Sequence, residues 1–231
     1  MTPSLVVRPT EAALADALVE ATEAAAREAI AARGVFQLAV TGGSAATALY
    51  PGLARARVDW AKTHVYFGDE RCVPPTDASS NFRGADEWLL RPAGVPPANV
   101  HRVLGEAPPE EAAAQYARAL PVLDVVHLGL GPDGHVCSLF PGHRLLDEGT
   151  ARVAALTDAP KPPPARVTLT RVALREARAL WFLAVGAAKQ DVVRAVVAGA
   201  ALELPAVRVL REASAVTFFL DAAAAARLPA V

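Results

Sequence analysis

Short runs of aliphatic and β-branched residues alternate with longer amphipathic stretches along most of this chain, and that alternation limits the fold more than any other feature. Extended segments are predicted at 5–7, 36–41, 63–68, 122–130, 153–157, 179–185 and 215–220. Between them the spacing predicts helices at about 10–33, 45–56, 80–91, 109–119, 187–198 and 221–227, with Gly34 suited to cap the first at its C-terminus. Such alternation implies an α/β fold: a single Rossmann-like domain, 1–231, whose mainly parallel sheet is covered by helices on both faces. A hydrophobic share of 53% over 231 residues is ample for a large core. The proline-rich segment 159–164 (APKPPP) reads as a stiff loop rather than a linker, because the strands on either side continue the same alternation.

Bulk properties exclude several functions. There is no uninterrupted apolar stretch long enough to span a bilayer, and the opening MTPSLVVRPT lacks the basic and apolar regions of a signal peptide. A soluble, cytoplasmic protein without a membrane partner is expected. The net charge of −1, with no cluster of lysine or arginine, argues against a nucleic-acid partner; nothing points to a protein partner. Cys72 and Cys137 have neither disulfide nor metal-ligand spacing, and inert packing is the expected role for both.

Chemistry concentrates in DVVHLGLGPDGHVCSLFPGH, residues 124–143. The apolar run at 124–130 reads as a buried parallel strand that stops at Gly129, Gly131 and Gly134, where the backbone can turn sharply. Asp133 and His135 occupy that turn, and in open α/β sheets ligands bind beyond the carboxyl ends of strands. The carboxylate can fix the imidazole tautomer and stabilise the imidazolium formed on proton acceptance. The same residues spell G-x-G-x-x-G, with Asp158 following at a dinucleotide-like distance. That reading fails because Pro141-Gly142 leaves little room for the required helix, and Pro132 removes an amide donor from the loop.

Other strand ends carry further candidates. Thr41-Gly42-Gly43-Ser44 ends one strand and opens a helix, which suits a phosphate; a plain turn with Ser44 as N-cap is the alternative. In Gly68-Asp69-Glu70-Arg71, Asp69 and Arg71 are assigned to function and Glu70 to structure, since charged groups are rarely buried unpaired. His64, His101 and His127 look like framework residues, and His143 follows the Pro-Gly turn near the candidate cleft. Taken alone, Arg166 and Lys189 would be surface charges, although a lysine in the first turn of a helix opposes the macrodipole.

Residues 124–143 resemble the 6-phosphogluconolactonase signature G-x-G-x-D-G-H-T-A-S-L-F-P, with Val136 and Cys137 in place of the Thr-Ala pair. TGGS at 41–44, GDER at 68–71, SSNF at 79–82, PPPARVTLT at 162–170 and GAAK at 186–189 agree in the family's order. One departure is Ala45-Ala46, where the family carries Thr-Pro after TGGS. The resemblance implies hydrolysis of 6-phospho-D-glucono-1,5-lactone in the oxidative pentose phosphate pathway. It assigns His135, Asp133, Arg71 and Asp69 to catalysis, and Gly42, Gly43, Ser44, Asn81, Arg166 and Lys189 to the phosphosugar. A lactone is an activated ester, so neither metal nor cofactor is expected. The related glucosamine-6-phosphate deaminases are the main competitor, but they resemble D-G-H-I-A-F-N-E after the turn, and Phe140 stands here in place of their glutamate. A sugar-phosphate sensor is the non-catalytic alternative; it would need the phosphate turn but not His135.

Overall fold

The computed structural model describes residues 2–229. Its strands are β1 (Ser4–Arg8), β2 (Phe36–Val40), β3 (Thr63–Phe67), β4 (Asp69–Arg71), β5 (Val125–Gly129), β6 (Val153–Leu156), β7 (Arg166–Leu169), β8 (Ala179–Ala184) and β9 (Val216–Asp221). Its helices are α1 (Glu11–Arg33), α2 (Gly43–Leu53), α3 (Asn81–Ala85), α4 (Pro109–Ala119), α5 (Arg171–Glu176), α6 (Gln190–Ala198), α7 (Pro205–Glu212) and α8 (Ala222–Ala225). Six strands form one parallel sheet in the order β1-β9-β8-β5-β2-β3. From β2 the chain moves outward to β3 and then returns to the other side of β2 as β5. The winding therefore reverses between β2 and β5, which opens a crevice beyond their carboxyl ends.

The central strands β2, β5 and β8 are buried along most of their length, which is why they are largely apolar rather than alternating. Leu38, Val40, Phe67 and Leu183 meet Leu14 and Leu18 of α1 and Leu49 of α2 on one face. Val126, Leu128, Phe182 and Phe218 meet Tyr116 of α4, Val193 of α6 and Val207 of α7 on the other. The rings of Phe182 and Phe218 stack at 4.7 Å; truncating one such buried ring costs about 3–5 kcal/mol. Helix α1 is closed at both ends: Thr10 Oγ1 accepts from the amide of Ala13, and Gly34 takes the left-handed cap at φ 79°, as predicted. No helix among the described residues is long and apolar enough to cross a membrane.

Two expectations need correction. The segment 153–157 is extended, but β6 does not join the parallel sheet. It pairs antiparallel with β7, and β7 pairs antiparallel with β4, making a separate three-stranded sheet ordered β4-β7-β6. An apolar run records burial and not its partner, so the sequence pattern did not distinguish the two sheets. The chain leaves β3 through Gly68, whose carbonyl accepts from the amide of Leu169, and this ties the small sheet to the large one. Strands β4 and β7 were not among the predicted strands: β4 consists of three charged residues, and β7 follows directly on the proline-rich loop. The second correction concerns helix bounds. The predicted 80–91 helix divides into α3 and a π-helical turn at Asp86–Leu90, while α5 and α7 were unanticipated.

Candidate active site

The crevice between β2 and β5 is built from two turns tied together. After β2 the chain passes through Thr41 and Gly42 into α2, and Gly42 is the N-cap residue, offering no side chain to the helix amides. Ser44 lies exposed inside the first turn, so the N-cap alternative for it does not hold. The opening amides of α2 thus have no side-chain cap, and the helix dipole there favours negative charge. A Cβ on Gly42 would stand 2.0 Å from Asn81 Oδ1, so only glycine fits. Thr41 joins this turn to the next: its amide donates to Tyr50 Oη at 2.8 Å, and its Oγ1 accepts from the amide of Gly129 at 3.2 Å. Behind them Tyr50 Oη lies 3.3 Å from His127 Nδ1, both side chains being fully buried. Burial raises the Tyr50 pKa and lowers that of His127 to about 3.

The second turn follows β5. The amides of Gly131 and Gly134 donate to the carbonyls of His135 and Gly131, closing the loop, and no helix opens at Gly134. The rejection of the dinucleotide fingerprint therefore stands. Asp158 is spent elsewhere, 3.0 Å from His143 Nε2, and neither residue lines the cleft. Inside the turn His135 Nδ1 lies 2.5 Å from Asp133 Oδ1. An ionised carboxylate only accepts, so the shared proton sits on Nδ1 and leaves Nε2 with a lone pair. A Cβ on Gly131 would come within 2.0 Å of that Nδ1, which makes glycine obligatory here as well. Burial would raise the Asp133 pKa, but hydrogen bonds from Lys161 and His135 together bring it down to about 2. His135 moves down too: burial and the charge of Lys161 outweigh the pull of Asp133 and Asp69.

The small sheet supplies the third wall. Antiparallel pairing of β4 with β7 sets Arg71 opposite Arg166 and Asp69 opposite Thr168. Asp69 is buried and accepts from Ser138 Oγ at 2.6 Å and Asn81 Nδ2 at 3.0 Å, with Arg166 Nη1 at 3.8 Å. Glu70 is structural, as expected. It accepts from the amides of Arg71, Asn81 and Phe82 and from the hydroxyl of Ser80, all at 2.9 Å or less, although burial still raises its pKa. Arg71 donates to the carbonyl of Ser79, and its Nε is buried without a partner. Lys189 Nζ donates to the Leu130 carbonyl at 2.7 Å.

Of the residues predicted for the site, Gly42, Gly43, Ser44, Asp69, Arg71, Asn81, His135, Arg166 and Lys189 line one cleft of about 150 Å³. Asp133 stands behind His135. Arg166 departs from the surface charge its sequence context alone suggested: its side chain is 4% exposed. Most of its donors go to the proline-rich loop, at 3.0 Å to the carbonyls of Pro163 and Lys161 and 3.4 Å to that of Pro162. Cys137 lines the cleft, but burial pushes its thiol pKa well up; burial and the nearby Glu70 raise that of Cys72, so both thiols stay protonated near neutrality. Sequence reasoning missed Lys161, whose Nζ is 2.9 Å from Asp133 Oδ2. The available signal was composition: the chain has three lysines against twenty arginines, and two of the three are Lys161 and Lys189.

The family described as glucosamine-6-phosphate isomerases/6-phosphogluconolactonase matches residues 9–218. The chain belongs to this family. It is similar to the 6-phosphogluconolactonase of Rattus norvegicus, with 40% identity over 84% of this chain and 80% of that one. It is also similar to that of Streptomyces coelicolor, with 35% identity over 99% and 95%. Among solved structures, the 6-phosphogluconolactonase of Trypanosoma brucei superposes with a TM-score of 0.84 at 29% identity, over 98% of this chain and 99% of that one. The family's description joins two activities on one fold, so the choice between them falls on the cleft. Phe140 does not line it but is buried beside it, with its ring 4.9 Å from that of His135, and a phenyl ring transfers no proton.

Proposed function

We propose that this protein hydrolyses 6-phospho-D-glucono-1,5-lactone to 6-phospho-D-gluconate, the chain acting as one domain in the cytoplasm. The observation that carries this reading is the pairing, across one cleft, of an uncapped helix N-terminus with a histidine whose Nδ1 proton is fixed by a carboxylate. The phosphate sits on the amides of Gly43 and Ser44 and against the ammonium of Lys189, with Arg166 adding charge from below. Held there, the sugar presents its lactone carbon to His135. Nε2 takes a proton from water as the oxygen attacks the carbonyl, a role worth about 10²–10⁴-fold. The imidazolium, stabilised by Asp133, then returns the proton to the departing ring oxygen. Arg71, whose side chain lines the cleft, faces the charge that develops on the carbonyl oxygen. Asp69 orients Asn81 and Ser138 around this point.

The test is acid release from the phosphorylated lactone by purified protein, with spontaneous hydrolysis subtracted. Acceleration without added metal or nucleotide supports the reading. Tight phosphosugar binding with no turnover would assign the chain to a sensor instead.

A further inference from the structure

Lys161 comes from the proline-rich loop and reaches the far side of the His135–Asp133 pair. Its Nζ is 2.9 Å from Asp133 Oδ2 and 3.2 Å from His135 Nδ1, and its side chain is 40% exposed. It does not line the cleft. Arg166 fixes the loop that carries it by donating to the carbonyls of Lys161, Pro162 and Pro163. With its proton directed at Asp133 Oδ1, Nδ1 offers Lys161 no lone pair, so the 3.2 Å approach is a close contact between a cation and an N–H.

We propose that Lys161 is a positioning residue for the proton transfer assigned above to His135. Its ammonium occupies Oδ2 of Asp133, which leaves Oδ1 to the Nδ1–H of His135. That locks the tautomer with the free lone pair on Nε2. The same cation opposes a second positive charge on the ring, so the resting imidazole stays neutral and the imidazolium gives up its proton readily to the leaving oxygen. The charged groups acting on His135 are Asp133 and Asp69, which favour the imidazolium, and Lys161, which opposes it; Lys189 in turn lies within the fields of Lys161 and Asp133. Lysine suits this place better than arginine. A guanidinium engages both oxygens of a carboxylate in a fork and would displace His135 from Oδ1, whereas an ammonium is a point charge that takes one. Here the chain carries lysine despite its general preference for arginine.

This inference rests on His135 being the base, and the experiment separates the two. The pH dependence of kcat and kcat/KM is measured for wild type, Lys161→Met, Lys161→Arg, Asp133→Asn and the Lys161→Met/Asp133→Asn double variant, with His135→Ala as reference. Lys161→Met should move the acid limb to higher pH and lower kcat by roughly tenfold with KM little changed, within the range that outer partners of a functional imidazole contribute. Lys161→Arg keeps the charge, so the limb should stay in place while kcat falls. In the Asp133→Asn background Lys161→Met should lower kcat little further, since no carboxylate is left for it to hold, while the acid limb should still move up because the ammonium acts on the ring directly. An unmoved acid limb with wild-type kcat in Lys161→Met would overturn the proposal, as would a rise in KM alone, which would make Lys161 a substrate contact. Retained turnover in His135→Ala would instead overturn the assignment of the base, whatever the lysine variants do.

Discussion

Arg166 and Lys189 are both cations of one cleft, yet their surroundings predict opposite consequences when each is cut back to alanine. Arg166 is buried at the start of β7, with Asp69 Oδ2 3.8 Å away and carbonyls of the 161–163 loop around it. Removing it leaves a carboxylate that is itself 8% exposed with only the neutral donors of Ser138 and Asn81, and frees carbonyls that were paired. Breaking a buried pair from one side costs about 3–5 kcal/mol, which for a chain of this length is a fall in Tm of roughly 6–20 °C. Lys189 is half-buried and makes one hydrogen bond, to the Leu130 carbonyl. Its loss should cost only about 1–2 kcal/mol of stability. The order reverses in catalysis. Lys189 has donors to spare for a phosphate, so Lys189→Ala should lower kcat/KM for the phosphorylated lactone by about 1.5–3 kcal/mol, or roughly 10- to 150-fold. Unphosphorylated gluconolactone, lacking that contact, should be turned over equally by Lys189→Ala and wild type. Thermal denaturation, and paired kinetics on the two lactones at a temperature where every variant is folded, measure both quantities. A wild-type Tm for Arg166→Ala would refute its role in bracing the loop, and an unchanged ratio of the two efficiencies in Lys189→Ala would place the phosphate elsewhere.

Three further outcomes are expected. His135→Ala should lower kcat by at least about 10²-fold with substrate affinity largely kept, and Asp133→Asn should be strongly non-additive with it; near-normal turnover in folded His135→Ala would remove its assignment as base. No ammonia should be released from glucosamine 6-phosphate, because Phe140 offers no carboxylate; release at a rate comparable to lactone hydrolysis would reverse the choice of reaction. His127 is held neutral, its pKa lowered by burial from 6.5 to about 3. The unfolded chain therefore takes up a proton below pH 6.5 that the folded protein refuses, and stability is lost as pH falls from there toward 3, at up to about 1.4 kcal/mol per pH unit. His127→Leu should flatten this part of the urea-denaturation profile between pH 7 and 5, and an unaltered slope would contradict the assignment.

Much of this was legible in the sequence because it is local. A strand that ends in TGG and continues as a helix defines the turn proposed for the phosphate, and Gly131, Asp133 and His135 lie within one loop, so neither required knowledge of the tertiary fold. What escaped depended on distant pairing. The burial of Arg166 follows from β7 lying between β4 and β6, and the charged tripeptide of β4 carries no strand pattern. Lys161 was hidden for the same reason: a lysine among prolines looks solvated until the loop folds back on Asp133. The tie between the two turns, Tyr50 to Thr41 to Gly129, joins residues up to 88 positions apart, and no local pattern records it.

The fold does not choose between the family's two reactions, and the electrostatics around residue 140 explain how one position can. The ring of Phe140 packs on His135, with the guanidinium of Arg166 5.5 Å and the ammonium of Lys161 6.0 Å from its centroid. These cations are partnered by Asp69 and Asp133 respectively. A carboxylate at 140 would compete for both, drawing Arg166 from Asp69 and Lys161 from Asp133. It would also add a negative charge beside His135, favouring the imidazolium over the neutral base. A glutamate there, as the deaminase resemblance would have it, would thus do more than supply a proton carrier: it would withdraw the conditions that the proposed role of His135 as base requires. The aromatic residue keeps each cation with its own aspartate and the histidine neutral, which is the state that attack on an already activated ester requires.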